Sequence, residues 1–236
     1  AQTSTRIVNI PTTQFYHVGW NPHKPNNYYG GSQDNGTMHG NLPIFNTWPS
    51  VFGGDGFRSV FHPIDSKTYY FETQNGSISG TNNAGQTWKY GSAALGTTDR
   101  TNWDTPYLMS PHDPNTLFAG TFKIYKNQSG PALLWEAISP DLTDGNIFGL
   151  RFHTISTIDE SKLEAGRLAA GTSDGNVWVK TAQGQWTNVT AGLPDRYVTQ
   201  VRWSETVKDR IFVSLSGYRL GEKAAKFYRS DNLGAT

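Results

Sequence analysis

The sequence predicts an all-β fold built of repeated units, and three observations support this prediction. Tryptophans recur at positions 48, 88, 135 and 186, which are 40, 47 and 51 residues apart. A polar turn that contains glycine precedes the last three of them. Charged residues make up only 17% of the chain, with 25 glycines and 12 prolines, which favours short strands joined by tight turns. A period of about 40–50 residues with such strands is typical of the blades of a β-propeller.

Each repeat begins with an apolar strand, and a turn that often contains proline connects it to a second strand. A third strand then leads into the turn that precedes the tryptophan. We expect about five blades, over residues 12–50, 51–92, 101–140, 146–192 and 196–236. The expected first strands are Phe15–Trp20, Phe57–Phe61, Pro106–Met109, Ile147–Phe152 and Tyr197–Trp203. Proline fixes φ in the turns that follow. His23, His62 and His112 lie near these prolines and are expected to be surface turn residues.

The turn before the tryptophan is clearest at Thr81–Trp88, and a second copy begins at Ser230. Its asparagine can cap the amides of the turn, and its glycine supplies a conformation that is costly for other residues. The tryptophan ring is expected to pack between two sheets. Because the motif recurs with the repeat, we interpret it as scaffold. The structural residues predicted on this basis are Thr81, Asn83, Gly85, Trp88, Ser230, Asn232 and Gly234.

The second copy reaches Thr236 without its tryptophan. We therefore expect both ends of the chain to lie within a longer polypeptide. Five blades would leave an open sheet edge, so the segment is expected to belong to a propeller of seven or more blades.

The composition excludes several classes of function. A net charge of +1 is too small for a nucleic-acid-binding surface, which needs a strong basic patch. The absence of cysteine excludes disulfides, thiolate metal sites and cysteine nucleophiles. No apolar stretch approaches the length of a membrane helix, so no membrane insertion is expected.

The turn pattern Ser/Thr-x-Asp-x-Gly-x-Thr-Trp resembles the Asp-box (BNR) repeat of sialidase-like and sortilin-like propellers. The whole chain resembles the large extracellular BNR-repeat proteins of Bacteroidetes and relatives that are labelled glycosyl hydrolases. The segments that carry the likeness include Tyr29–Thr37, Phe52–Gly56, Asn102–Pro106, Gly171–Trp178 and Ser216–Arg219. The resemblance implies a secreted or cell-surface bacterial protein with further blades and domains, and a glycan or protein ligand. No cofactor is expected.

Asp34 and Asp55 are the candidate catalytic residues. Glycoside hydrolysis requires two carboxylates that face each other, and both residues lie in glycine-flanked turns. Asp34 also lies where similar xyloglucan-cleaving enzymes carry an acid. The alternative is that Asp34-Asn35-Gly36 and Asp55-Gly56 are simply tight turns. Sialidase chemistry is disfavoured, because the arginines show no triad and no Arg-Ile-Pro element is present.

Metal binding has weak support in the sequence. Asp141–Asn146 places oxygen ligands at alternate positions, loosely like a calcium loop, but lacks the later bidentate glutamate. The six histidines show no metal-binding spacing. We therefore interpret Asp141–Asn146 as a turn and expect no metal site.

Ligand binding without catalysis is the preferred interpretation, with glycoside hydrolysis as the alternative. Aromatic rings stack on sugar faces, while amides and charged groups bind hydroxyls. The sequence-based hypothesis is an extracellular recognition or structural module that holds a glycan or protein over the mouth of the propeller channel. The candidate ligand-binding residues are Gln33, Trp103, Asp104, Tyr218 and Arg58.

Overall fold

The computed structural model describes residues 13–41, 43, 47–91, 95, 99–146 and 153–236. Nineteen strands in these residues form five antiparallel sheets. The first two sheets contain β1 (His17–Trp20), β2 (Asn27–Ser32), β3 (Gly36–Asn41), β4 (Ser50–Phe52), β5 (Ser59–Phe61), β6 (Tyr69–Thr73), β7 (Ser77–Thr81) and β8 (Lys89–Tyr90). The third and fourth contain β9 (Tyr107–Met109), β10 (Leu117–Gly120), β11 (Ile124–Asn127), β12 (Trp135–Ala137), β13 (Ile155–Glu160), β14 (Leu168–Thr172), β15 (Val177–Lys180) and β16 (Trp186–Asn188). The fifth contains β17 (Tyr197–Trp203), β18 (Ile211–Ser216) and β19 (Lys226–Ser230).

Each sheet is an up-and-down blade in which every strand pairs with its neighbours in sequence. The first strands of neighbouring blades contact one another, β1 with β5, β9 with β13, and β13 with β17. Sheets arranged in this way around their first strands form a β-propeller, so the predicted fold class is confirmed. Short 3₁₀ turns occur at Gln74–Gly76, Gly130–Ala132 and Tyr218–Leu220. No helix among the described residues is long and apolar enough to cross a membrane.

The hydrophobic cores lie between consecutive blades. Side chains from two sheets meet at each interface, and a fully buried aliphatic or aromatic side chain contributes about 1.5–3 kcal/mol. The second and third blades share Tyr70, Ile78, Tyr107 and Leu117. The third and fourth share Phe118, Ile124, Ile155 and Leu168, and the fourth and fifth share Val177, Val179, Val198 and Val213. Aromatic rings fill the interface between the first and second blades, including Phe52, Phe71 and Trp88.

Consecutive connections of an antiparallel sheet lie at alternate ends of its strands, so the propeller has two different faces. The turn face carries the first and third turns of each blade. The loop face carries the second turns, at residues 33–35, 74–76, 121–123, 173–176 and 217–225. It also carries the segments that join one blade to the next, of which residues 53–58, 91, 95, 99–106, 138–146, 153–154 and 189–196 are described.

Two turns on the turn face have the same hydrogen bonds. Thr81 Oγ1 accepts from Gly85 N at 3.0 Å, and Asn83 Oδ1 accepts from Thr87 N at 2.9 Å. The turn at Ser230 repeats these bonds with lengths of 2.8 and 3.0 Å. Gly85 and Gly234 have φ of 83° and 84°, a left-handed conformation that favours glycine. The two sequence copies therefore encode one local structure.

The structure corrects the prediction that His62 is a surface turn residue, because His62 is buried. Its Nδ1 atom accepts hydrogen bonds from Ile64 N at 3.2 Å and Asp65 N at 2.8 Å. Its carbonyl oxygen accepts a bond of 2.9 Å from His23 Nε2 of the preceding blade. His62 thus caps its own turn and ties two blades together.

The predicted strand Ile147–Phe152 lies outside the described residues. The first described strand of the fourth blade is β13, which the sequence analysis did not predict. β13 contains polar residues that are buried because they bond to the backbone of the next blade. Thr157 Oγ1 accepts from Val201 N at 3.3 Å, and Asp159 Oδ2 accepts from Trp203 N at 2.7 Å. In the sequence, polar residues of this kind look like those of a turn, so β13 was not recognised as a strand.

Candidate functional site

Asp34 and Asp55 are brought together on the loop face. Asp34 lies in the exposed turn between β2 and β3 with φ of 61°, which aspartate tolerates better than most residues. Asp55 is buried, and its Oδ1 atom accepts a 2.7 Å hydrogen bond from Asp34 N. Asp55 N in turn donates to Gln74 Oε1 at 3.1 Å. Asp55 therefore fastens the turns of two neighbouring blades, while the Asp34 carboxylate is exposed to solvent.

This geometry predicts different effects for the two aspartates. Asp55→Ala should lower the free energy of unfolding by about 1–3 kcal/mol, because it removes the acceptor of Asp34 N. Asp34→Asn should change it by less than about 0.5 kcal/mol, because asparagine also tolerates the left-handed conformation. Urea unfolding of both variants measures the difference. Asp55→Asn, which keeps an oxygen acceptor, is the matched control, and an equal loss in all three variants would contradict the prediction.

Asp104 is held between the side chains of His17 and Arg58. Its Oδ2 atom is 2.6 Å from His17 Nε2 on β1, and its Oδ1 atom is 3.6 Å from Arg58 Nε. Burial alone raises the pKa of Asp104, but the hydrogen bond from His17 and the charge of Arg58 outweigh it and hold the pKa below its ordinary value. The Asp104 side chain is about one-third exposed, so an ionised carboxylate faces solvent here.

Glu72 lies beneath this cluster and is fully buried. Its Oε1 atom accepts a 2.9 Å hydrogen bond from Thr105 N, and its Oε2 atom lies 3.4 Å from Arg58 N. Burial, followed by the charge of Asp104, raises the pKa of Glu72 well above its ordinary value. Burial therefore favours the protonated form of Glu72, whose carboxyl group holds the loop that carries Trp103 and Asp104.

The sequence-based search missed Glu72, although the repeat contains a signal for it. Equivalent positions in different blades can be identified by counting from the turn between the first and second strands. At the position of Glu72, three of the other blades have glycine: Gly31, Gly120 and Gly171. A Cβ atom at Gly31 would lie 2.2 Å from Phe57 O of the next blade. Glu72 thus breaks the repeat at a position where blades approach closely.

An aromatic run crosses the loop face next to these charges. Tyr16 stacks on Phe57 with ring centroids 4.7 Å apart, and Phe57 meets Trp103 edge-on at 6.1 Å. The Trp103 side chain is 44% exposed. Tyr16 Oη donates to Gln33 Oε1 at 3.0 Å. A cavity of about 570 Å³ opens here, lined by Thr13, Gln14, Tyr16, Ser32, Gln33 and Asn35.

The five candidate ligand-binding residues divide into two groups. Gln33, Arg58, Trp103 and Asp104 lie on the first two blades and the loop that follows them. Tyr218 lies in the 3₁₀ turn of the fifth blade and lines a different cavity, of about 440 Å³. The structure thus joins four of the candidates in one region and separates the fifth.

Both carboxylate oxygens of Asp141, in the segment Asp141–Asn146, accept hydrogen bonds from the protein. Asp141 Oδ1 accepts from Thr143 N at 2.9 Å, and Asp141 Oδ2 accepts from Arg100 Nη2 at 3.1 Å. Across the ranges that the structure describes, no three His, Asp or Glu side chains are grouped so as to hold a metal ion.

Comparison with solved structures identifies β-propellers. A GH74 enzyme from Niastella koreensis has a TM-score of 0.69 and 18% identity, covering 94% of this chain and 37% of that one. YCF48 from Cyanidioschyzon merolae has a TM-score of 0.60 and 15% identity, covering 86% and 64%. Sqt1 from Chaetomium thermophilum, bound to the N-terminus of ribosomal protein L10, has a TM-score of 0.57 and 13% identity, covering 84% and 56%.

These similarities establish the fold alone, because all three identities are low. The chain spans little more than a third of the length of the Niastella enzyme. No protein-family model and no curated protein matches the chain.

Proposed function

We propose that this propeller segment is a glycan-recognition module whose ligand binds on the loop face. The observation that carries the proposal is the position of Trp103, an exposed ring beside the charged pair Asp104 and Arg58. Sugar faces stack on such rings, and their hydroxyls bond to carboxylate, guanidinium and amide groups.

The neighbouring cavity supports the same ligand class. Its lining combines the Tyr16 ring with the amides of Gln33 and Asn35 and the hydroxyl of Ser32. Binding pockets commonly combine an aromatic wall with a few polar groups in this way. Glu72 supports the site from below, because its bond to Thr105 N fixes the residues next to Asp104.

The identity of the module as an Asp-box propeller belongs to this proposal. The matching turns at Thr81–Thr87 and Ser230–Thr236 support it, since they place serine or threonine, asparagine and glycine in equivalent roles. An extracellular location and further blades in the parent polypeptide are proposed on the same resemblance.

Glycoside hydrolysis is the second candidate function. The exposed carboxylate of Asp34 lies between Gln33 and Asn35, which line the cavity. Three of the similar solved structures are GH74 enzymes. Hydrolysis requires a second carboxylate, and the Asp55 carboxylate is hydrogen-bonded to Asp34 N. This bond makes recognition the better-supported function.

Trp103→Ala should weaken glycan binding about tenfold, which corresponds to about 1.4 kcal/mol, because it removes the stacking surface. A glycan array followed by titration calorimetry on the best ligand measures the effect. Trp20→Ala is the matched control, since Trp20 is 60% exposed and leads into the turn face.

The same screen separates the alternatives. Release of reducing ends that is abolished by Asp34→Asn would favour hydrolysis. Failure to bind any glycan, together with capture of a peptide ligand, would contradict the proposal. An equal loss in Trp103→Ala and Trp20→Ala would remove the site from the loop face.

A further inference from the structure

A second cavity lies between the fourth and fifth blades. It opens on the loop face, where the segment before β17 meets the turn after β18. The lining residues include Ser173, Asp195, Arg196, Tyr197, Tyr218 and Arg219. Four aromatic or guanidinium groups thus surround a volume of about 440 Å³, which is ample for one sugar residue.

Tyr197 and Arg219 form one wall of this cavity. The guanidinium carbon of Arg219 lies 5.8 Å from the centre of the Tyr197 ring. A guanidinium within about 6 Å of a ring centre is attracted to the face of the ring, which restrains the Arg219 side chain beside Tyr197. An arginine held in this way is suited to bidentate binding of a carboxylate.

Tyr218 forms the outer edge of the cavity and is 84% exposed. Its ring is presented by a rigid turn, since Tyr218 N donates to Ser216 Oγ at 3.2 Å and Gly221 N donates to Tyr218 O at 3.0 Å. An aromatic side chain that a rigid turn holds in solvent contributes little to the core. It is therefore available to stack on a ligand.

The charges around the cavity leave a small positive excess. Glu222 is bonded to both Arg196 and Lys226, and these bonds, with that to Arg196 first, lower the pKa of Glu222 to about 2. Asp195 lies against the turn of the fourth blade, where its Oδ1 atom would be 2.8 Å from a Cβ at Gly175. Over residues 173–176, 195–197 and 217–226, the four cations Arg196, Arg219, Lys223 and Lys226 outweigh Asp174, Asp195 and Glu222 by one charge.

The two cavities share one continuous face. Asn102 Nδ2 donates to Tyr197 Oη at 3.1 Å, so the loop that carries Trp103 and Asp104 touches the wall of the second cavity. A glycan chain bound over Trp103 therefore has the second cavity beside it.

We propose that this second cavity binds an acidic sugar residue, a hexuronate, with its carboxylate on Arg219 and its ring on Tyr218. The inference rests on the proposed glycan-binding function and adds the charge of the ligand to it. The expected ligands are oligosaccharides that contain uronic acid, and binding should weaken as salt is added.

The test compares a uronate-containing oligosaccharide with a neutral one of the same length, by titration calorimetry. Arg219→Gln should weaken binding of the acidic ligand at least tenfold and leave the neutral ligand unchanged. Lys223→Gln, which removes one exposed positive charge from the same loop, should change neither affinity. Tyr218→Ala should weaken the acidic ligand, while Tyr218→Phe should retain its affinity.

Two outcomes would overturn the inference. If Arg219→Gln and Lys223→Gln have the same effect on the acidic ligand, only the net charge matters and the cavity has no role. If neutral glycans bind in a Trp103-dependent manner and acidic ones bind no better, the second site fails while the proposed function stands. Absence of all glycan binding would overturn both.

Discussion

Trp88→Ala should lower the free energy of unfolding by about 3 kcal/mol, at the lower end for a large aromatic residue because the ring is partly exposed. The ring packs between the first and second blades. Its centroid is 4.6 Å from that of Phe52 on β4, and 5.3 and 5.6 Å from those of Phe71 and Tyr69 on β6. Truncation would leave a cavity between the two sheets. Because the backbone fixes the distance between the sheets, the surrounding rings cannot move far enough to fill it.

Urea unfolding, followed by circular dichroism, measures this effect. Trp20→Ala serves as the control here too, because an exposed tryptophan should cost less than about 0.5 kcal/mol. A similar loss in both variants, or a loss below about 1 kcal/mol for Trp88→Ala, would show that the ring does not join the blades.

Glu72→Gln should make the protein more stable at neutral pH, by an amount that grows as pH rises. Burial raises the pKa of Glu72 in the folded protein well above its ordinary value, so the folded protein holds this proton to higher pH. The unfolded chain releases this proton at the ordinary pKa of about 4.5, and therefore binds fewer protons above that pH. Each pH unit between the two pKa values costs the wild type about 1.4 kcal/mol of stability. Glutamine presents an oxygen to Thr105 N without this cost.

Unfolding at pH 4, 6 and 8 measures the difference between wild type and variant. The two should be nearly equal at pH 4 and diverge at pH 6 and 8, until Glu72 itself ionises in the folded protein. Glu136→Gln, on the exposed strand β12, is the matched control and should run parallel to wild type. Parallel curves for Glu72→Gln as well would mean that the buried carboxyl is ionised.

The parts of the fold that depend on local sequence could be predicted. The turn at Thr81–Thr87 needs only a hydroxyl, an amide and a glycine at fixed spacing, and all three are visible in the chain. β13 could not be predicted in this way. Its buried Thr157 and Asp159 bond to backbone amides of the fifth blade, more than 40 residues away in the sequence, so their role depends on tertiary contacts.

The residues of the candidate site likewise divide into those that could be predicted from the sequence and those whose role depends on tertiary contacts. Exposed residues such as Trp103 and Asp104 could be chosen because their residue types suit a ligand. Glu72 could not be chosen by residue type, since an acid within an apolar strand does not reveal its acceptor role for Thr105 N. Comparison of equivalent positions across the blades identifies it, because glycine is the usual occupant there.

The placement of the cores between blades also determines how the molecule comes apart. In the described part of the chain, the second, third and fourth blades have a neighbour on both sides, whereas the first and fifth each pack against one. Opening a blade that packs against neighbours on both sides exposes two core interfaces at once. Such blades are therefore expected to open cooperatively with their neighbours, as in other arrays whose units contact only adjacent units.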